Sequence, residues 1–243
     1  MIMNFGTVLS VNLAVPRATR AKEHGVTGID KRPTQKPVDV RAPGPKHGGL
    51  GSGLVGDQIF DVRHHGGDEQ AVYAYAREDL DWWSEQLGVD LPGGCFGENL
   101  TTRGLDVTEA RIGERWKIGD DLVLQVTVPR IPCGTFKNWM AEQQYAQGRW
   151  IKSFTQAARP GAYLSVVSPG TVRAGDRIEI VHRPEHDVTI GLTFRAITLE
   201  PDLLPLLLTA EETADDIRET AERRIAPYPG EPEFEPEPTS SPA

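Results

Sequence analysis

Cysteine is nearly absent from this chain: of 243 residues only Cys95 and Cys133 carry a thiol. Two thiols exclude a disulfide framework and an iron–sulfur cluster held by four thiolates, and they fit a reducing, cytoplasmic setting. Long apolar runs are missing too. None approaches the ~20 residues that cross a bilayer, so no membrane association is expected. Met1 to Val15 lacks a basic leader, and Asn4, Ser10 and Asn12 break up its apolar residues, which argues against a signal peptide. Positive charge is in deficit: the net charge is −9, which opposes stable nucleic-acid binding. Part of that deficit is local, because the last 18 residues carry Glu231, Glu233, Glu235 and Glu237 without a lysine or arginine. The rest is only mildly acidic and leaves room for a basic pocket. Zinc signatures are absent as well. There is no C-x2-C and no H-E-x-x-H, and Pro184 opposes the helix that would align His182 with His186.

What the chain does contain is the ordinary material of one globular domain, at 38% hydrophobic and 25% charged residues. A Gly-Asp turn recurs ahead of alternating apolar segments. Gly56-Asp57 precedes Gln58–Val62, Gly119-Asp120 precedes Leu122–Val128, and Gly175-Asp176 precedes Arg177–Val181. Short strands at irregular spacing with Gly-rich turns predict a closed or nearly closed β-barrel. Helices are expected over Ala76–Leu87, stopped by Gly88, and over Phe136–Ala146 and Trp150–Ala158, the last ended by Pro160-Gly161. Beyond Pro184, Asp202–Leu208 and Glu211–Ile225 read as short helices, too small to fold without docking on the barrel. The tail 226–243 is rich in Pro and Glu and is expected to be disordered.

Three segments carry chemistry. Pro129-Arg130-Ile131-Pro132-Cys133 ends a strand with two dihedral-fixing prolines, so the Cys133 thiol is aimed, with Arg130 close behind it. In His64-His65-Gly66-Gly67-Asp68 the glycines let backbone N–H groups approach an anion, and an imidazole can pass a proton; hydrogen-bonded turn histidines are the plainer alternative. Gly97-Glu98-Asn99 sets an acid beside an amide, able to orient a polar heterocycle or simply to cap a turn. Cys95 reads as a small apolar filler. Gly51-Ser52-Gly53-Leu54-Val55-Gly56 matches the dinucleotide fingerprint, but Pro43-Gly44-Pro45 stands where a strand should precede it, and the segment after it is strand-like, so it reads as a loop.

The ordered blocks Gly28–Pro33, Gly56-Asp57, His64–Gly67, Ala71–Tyr75, Gly97–Leu100, Gly119-Asp120, Pro129–Cys133, Gly161–Tyr163 and Gly175-Asp176 resemble the MOSC domain, the family named for the C-terminal region of molybdenum cofactor sulfurase. The resemblance runs from about Met3 to Val181. The segment after Asp187 resembles the extension of the stand-alone bacterial branch that reduces N-hydroxylated purines, and no pyridoxal phosphate domain fits in this length. The resemblance implies a mainly β (α+β) fold: a MOSC-type β-barrel over 1–183 with a few peripheral helices, a small C-terminal helical extension over 184–225 and the tail 226–243.

It also implies the molybdenum cofactor (Mo-molybdopterin), with Cys133 as the metal's protein ligand. A thiolate suits a soft, redox-active metal, and a nearby arginine favours the thiolate. Lys31, Arg63, Arg130 and the backbone of Gly66-Gly67, in a loop shared with His64, are the candidate donors to the pterin phosphate. Asn99 and Glu98 are candidates to hold the pterin or the substrate, and His65 to deliver a proton. The implied activity is reduction of a small N-hydroxylated substrate to the amine, with electrons from a separate reductase, since nothing in the chain looks like a flavin or iron–sulfur site. Two alternatives stay open: a carrier of the cofactor or of sulfur, and a metal-free enzyme in which His65 activates Cys133 as a nucleophile. A homodimer is left open.

Overall fold

The computed structural model describes residues 5–19 and 25–226; the acidic tail, from Pro227 onward, lies outside the described residues. The strands are β1 (Phe5–Ala14), β2 (Arg17–Ala18), β3 (Val26–Thr27), β4 (Lys31–Thr34), β5 (Val38–Val40), β6 (Val72–Ala76), β7 (Leu100–Arg103), β8 (Arg115–Ile118), β9 (Leu122–Pro129), β10 (Ala162–Ser168), β11 (Gly170–Val172) and β12 (Arg177–His182). The helices are α1 (Arg77–Leu87), α2 (Gly134–Glu142), α3 (Trp150–Ala157), α4 (Ile190–Thr198), α5 (Leu204–Leu207) and α6 (Asp215–Ile225). None among the described residues is long and apolar enough to cross a membrane.

Seven strands close a barrel in the order β1–β12–β8–β9–β10–β6–β7 and back to β1. This is the mainly β fold with peripheral helices that the sequence implies. An odd ring cannot be antiparallel all the way round, because alternating directions collide at the last seam. The parallel pair is β6–β7, with Ala74 opposite Leu100. A parallel pair needs a crossover outside the sheet, and α1 with the loop 88–99 supplies it. β4 joins β1 along Val11–Ala14, on the edge that β12 occupies at Phe5–Thr7.

β6 is buried along its whole length, and its two-residue period divides it between two cores. Val72, Ala74 and Ala76 enter the barrel interior with Val8, Leu124 and Leu164, whereas Tyr73 and Tyr75 enter an aromatic cluster outside it. That cluster holds Trp83 of α1, Phe96 of the crossover loop, Phe136 of α2 and Trp150 and Phe154 of α3. Trp83 and Phe154 stack at 5.9 Å. The Tyr75 hydroxyl donates to the Arg159 carbonyl (2.8 Å) and accepts from Trp83 Nε1 (3.1 Å). Gly161 follows at φ 68, where a Cβ would lie 2.7 Å from the Ala74 carbonyl oxygen, so glycine is required at this entry to β10.

Four expectations are corrected. Gln58–Val62 is an irregular loop, and Gln58, Ile59, Phe60 and Asp61 in succession line a cavity instead of alternating across a sheet. α2 stops at Glu142, where the N–H groups of Tyr145 and Ala146 fold back onto the Met140 carbonyl. The helix expected over Asp202–Leu208 is a 3-10 turn at Pro201–Leu203 followed by α5, and the one expected over Glu211–Ile225 begins at Asp215. The helical extension expected over 184–225 also contains α4, which Thr189 caps by accepting from the Leu192 N–H at 3.1 Å. Ile190, Ala196, Leu204, Leu207 and Ala221 of the extension share one apolar cluster with the barrel.

Candidate functional site

A cavity opens where residues 26–31, the 57–66 loop and the 96–99 loop meet the N-terminus of α2. Cys133 lies on its wall in extended conformation as the residue that caps α2, its carbonyl accepting from the Lys137 N–H at 3.1 Å. The proline-flanked turn therefore delivers the thiol to a helix N-terminus, where backbone dipoles favour a negative charge. Burial alone pushes the Cys133 thiol up. A hydrogen bond with His65, the charge of Arg130 and the Phe136 N–H outweigh it and bring the group down to about 6, so Cys133 is a thiolate at neutral pH.

Arg130 is buried, its guanidinium 3.5 Å from the centre of the Phe136 ring and within 6 Å of the Tyr73 and Phe154 rings. Its Nη1 is enclosed without a hydrogen-bond partner. Two further lining groups share that condition, Gln70 Oε1 and Thr135 Oγ1. Buried polar atoms are nearly always partnered. Three orphans among the lining residues of one cavity, which also holds a thiolate, are the features of a place shaped for a polar ligand.

The opposite wall is fastened by Asp57. Its carboxylate accepts from the Ala14 N–H (2.8 Å), Lys31 Nζ (2.6 Å), Ser52 Oγ (2.8 Å) and Asn99 Nδ2 (3.0 Å). Burial raises Asp57, but the Lys31 charge and these hydrogen bonds hold it below the usual carboxylate range. The Asn99 amide oxygen accepts from the Tyr73 N–H at 3.2 Å, which ties this hub to β6.

Of the residues singled out in the sequence, Lys31, His65, Gly66, Asn99, Arg130 and Cys133 line the cavity. Four do not. His64 and Arg63 are exposed beyond it, with Arg63 Nε 3.9 Å from Asp61. Gly67, at φ 83, backs onto the Lys46 backbone. Glu98 is fully buried and turned into its own loop, where it accepts from the Gly94 N–H (2.5 Å), the Phe96 N–H (3.0 Å) and Thr101 Oγ1 (2.9 Å). Burial raises it above the usual carboxylate range against those hydrogen bonds. Lys31 faces the cavity with its charge already engaged by Asp57. Asp57, Gln70 and Thr135 escaped the sequence analysis. Asp57 sits in one of three similar Gly-Asp turns, and nothing local distinguishes it from Asp120 and Asp176. Among the described residues, no three His, Cys, Asp or Glu side chains gather where a metal ion could be held by the protein alone.

The fold and site together define a seven-stranded barrel with a thiolate-bearing cavity against its outer wall. The MOSC domain pattern matches residues 61–179. The YflK protein of Bacillus subtilis, itself uncharacterised, is 30% identical over 190 residues, covering 78% of this chain and 79% of that protein. The chain belongs to the MOSC domain family. A protein of Gibberella moniliformis named a reductase is 30% identical over 198 residues, 71% of this chain but 34% of its own length. The crystal structure of YiiM from Geobacillus stearothermophilus shares the fold, with a TM-score of 0.70 at 24% identity over 91% of this chain and all of that one.

Proposed function

We propose that the protein is a molybdenum-cofactor-dependent reductase of small N-hydroxylated compounds. The observation that carries this is the pairing of a lone Cys133 thiolate with three unpartnered buried polar atoms among the residues that line the same cavity. The residues fit the group. A metal held by a single protein sulfur needs a cofactor that brings its own remaining ligands, and a thiolate is the soft donor such a centre takes. The relative named a reductase and the family's association with the cofactor point the same way.

When bound, the molybdenum cofactor would supply the two-electron exchange: R–NHOH + 2 e⁻ + 2 H⁺ gives R–NH2 + H2O, with the N–O bond broken and an N–H bond formed. The chain's own residues bind and orient. Cys133 would hold the metal. Arg130 Nη1, with the Gly66 backbone, is the donor left for the pterin phosphate, because the Lys31 charge is taken by Asp57 and Arg63 lies outside. Gln70 and Thr135 offer an acceptor and a hydroxyl to the pterin or substrate edge. His65, within hydrogen-bond reach of Cys133, is the group positioned to hand a proton to the nitrogen. Glu98 would act as a positioning residue that shapes the loop carrying Gly97 and Asn99.

The test is molybdenum and pterin content of the wild type and Cys133→Ala, both purified from a host that makes the cofactor. Near-stoichiometric metal in the wild type, lost in the variant along with reduction of an N-hydroxylated base, is expected. Metal-free wild type from such a host overturns the proposal and leaves Cys133 to be examined as a nucleophile. Cofactor bound without turnover by any electron donor would make the protein a carrier.

A further inference from the structure

The charges around the cavity mouth are sorted by direction. The lining segments 25–32, 57–66, 96–99 and 130–137 contain the carboxylates of Asp30, Asp57, Asp61 and Glu98, and each of these side chains is buried. Every exposed charged side chain in the same segments is basic: Arg32, Arg63 and Lys137, with His64 beside them. Buried acids hold the exposed cations outward. Asp30, between the lining residues Ile29 and Lys31, takes Arg17 Nε at 2.6 Å and Arg32 Nε at 3.1 Å, leaving those side chains 45% and 59% exposed. Arg17 also pairs across β2–β3 with Thr27 on the cavity wall. Asp61, itself on the wall, faces Arg63 Nε at 3.9 Å, with Arg63 53% exposed. Lys137 stands one helical turn beyond Cys133. Two exposed acids precede the lining residue Gln70: Asp68 accepts from the Gly44 N–H at 2.9 Å, and Glu69 lies within the field of Lys46 as well as of Asp215 and Asp216 on α6.

This cationic rim belongs to a chain whose net charge is −9. A local cationic rim on an otherwise mildly acidic chain attracts an acidic partner to that one place. The groups stand outside the cavity and around its mouth, so they suit a broad acidic face better than a small anion, for which Arg130 waits inside. A long nucleic-acid track would extend past the rim onto the acidic remainder. We propose that the rim is the docking face of an acidic protein carrying reducing equivalents, seated with its redox group over the cavity that holds Cys133. The purpose of docking rests on the reductase proposal: a reduced flavin on the partner would lose two electrons and become oxidised, supplying the two electrons that break the N–O bond. The docking itself does not depend on turnover.

The probe is a purified flavodoxin in its oxidised form, an acidic FMN protein, titrated against the cofactor-loaded protein at low and high salt. Binding that weakens with salt, and by about tenfold or more in Arg17→Gln/Arg32→Gln/Lys137→Glu, is expected, while Arg223→Glu on α6 leaves it unchanged. Lys137→Glu alone, on the exposed face of α2, serves if the triple variant unfolds, with a smaller loss expected. Absence of salt-sensitive binding, or equal weakening by Arg223→Glu, overturns the proposal. So does rim-dependent binding of an oligonucleotide duplex in place of the flavodoxin. Reduced methyl viologen, a cationic small reductant, separates the two proposals: no turnover with it counts against the reductase alone, and flavodoxin binding is read independently.

Discussion

Replacing Arg130 with methionine removes a positive charge from beside Cys133 and leaves an apolar chain of similar length on the Phe136 ring. The thiol stands at about 6 against an ordinary 9.0, a preference for the thiolate of about 4 kcal/mol at 1.36 kcal/mol per pH unit. Burial works against that preference, and the hydrogen bond with His65 does more than Arg130 to overcome it. The hydrogen bond survives the substitution. A neighbouring cation is worth about one to three pH units, so the midpoint is expected to rise by at least about one unit, into the range ~7–8. The assay is the pH dependence of iodoacetamide alkylation in cofactor-free protein. Cys95 does not interfere, because burial raises it far above the working range. At pH 7 the variant should react about two- to tenfold more slowly, with the rates converging well above pH 9. An unchanged midpoint in a variant with wild-type melting behaviour would refute the electrostatic role given to Arg130.

The Asp57 hub and the Glu98 loop give two further outcomes. Asp57→Asn leaves the buried Lys31 ammonium without its counter-charge and should cost about 3–5 kcal/mol at pH 7, read by urea unfolding. Asp57 is held low in the folded state, so its stabilisation is present above the unfolded carboxylate value and lost as pH falls through the folded one; the gap between wild type and variant should close in acid. Glu98→Ala strands the Gly94 and Phe96 N–H groups at about 1–3 kcal/mol each, and Glu98→Gln should recover part of that. If Glu98→Gln instead melts like the wild type but abolishes turnover, Glu98 acts on the substrate directly.

β9 and β12 were readable from their apolar alternation and lie within one residue of where the pattern puts them. β1 was hidden because Ser10 and Asn12 interrupt its apolar run; Asn12 is buried and donates to Thr101 Oγ1 at 3.1 Å, so its polar group faces protein rather than water. Gln58–Val62 misled for the converse reason: Ile59 and Phe60 are apolar because they wall a cavity. At the site, Cys133 was legible through its prolines, a local signal. The side of the 96–99 loop on which Glu98 falls was not, since Gly97 and Asn99 face the cavity and the residue between them turns away. Nor could the sequence reveal the orphans Arg130 Nη1, Gln70 Oε1 and Thr135 Oγ1, whose importance lies in what fails to face them.

The two-faced strand β6 has a mechanical consequence. Tyr73 stands on the cavity wall, and the residues on either side of it, Val72 and Ala74, are sealed in the barrel. The wall cannot yield without straining the barrel ladder, and the barrel cannot breathe without shaking the wall. Cooperativity is thus written into one five-residue strand. Trp116 inside the barrel and Trp83 and Trp150 outside it are therefore expected to report one unfolding transition, and a ligand bound in the cavity is expected to shift it for both cores together.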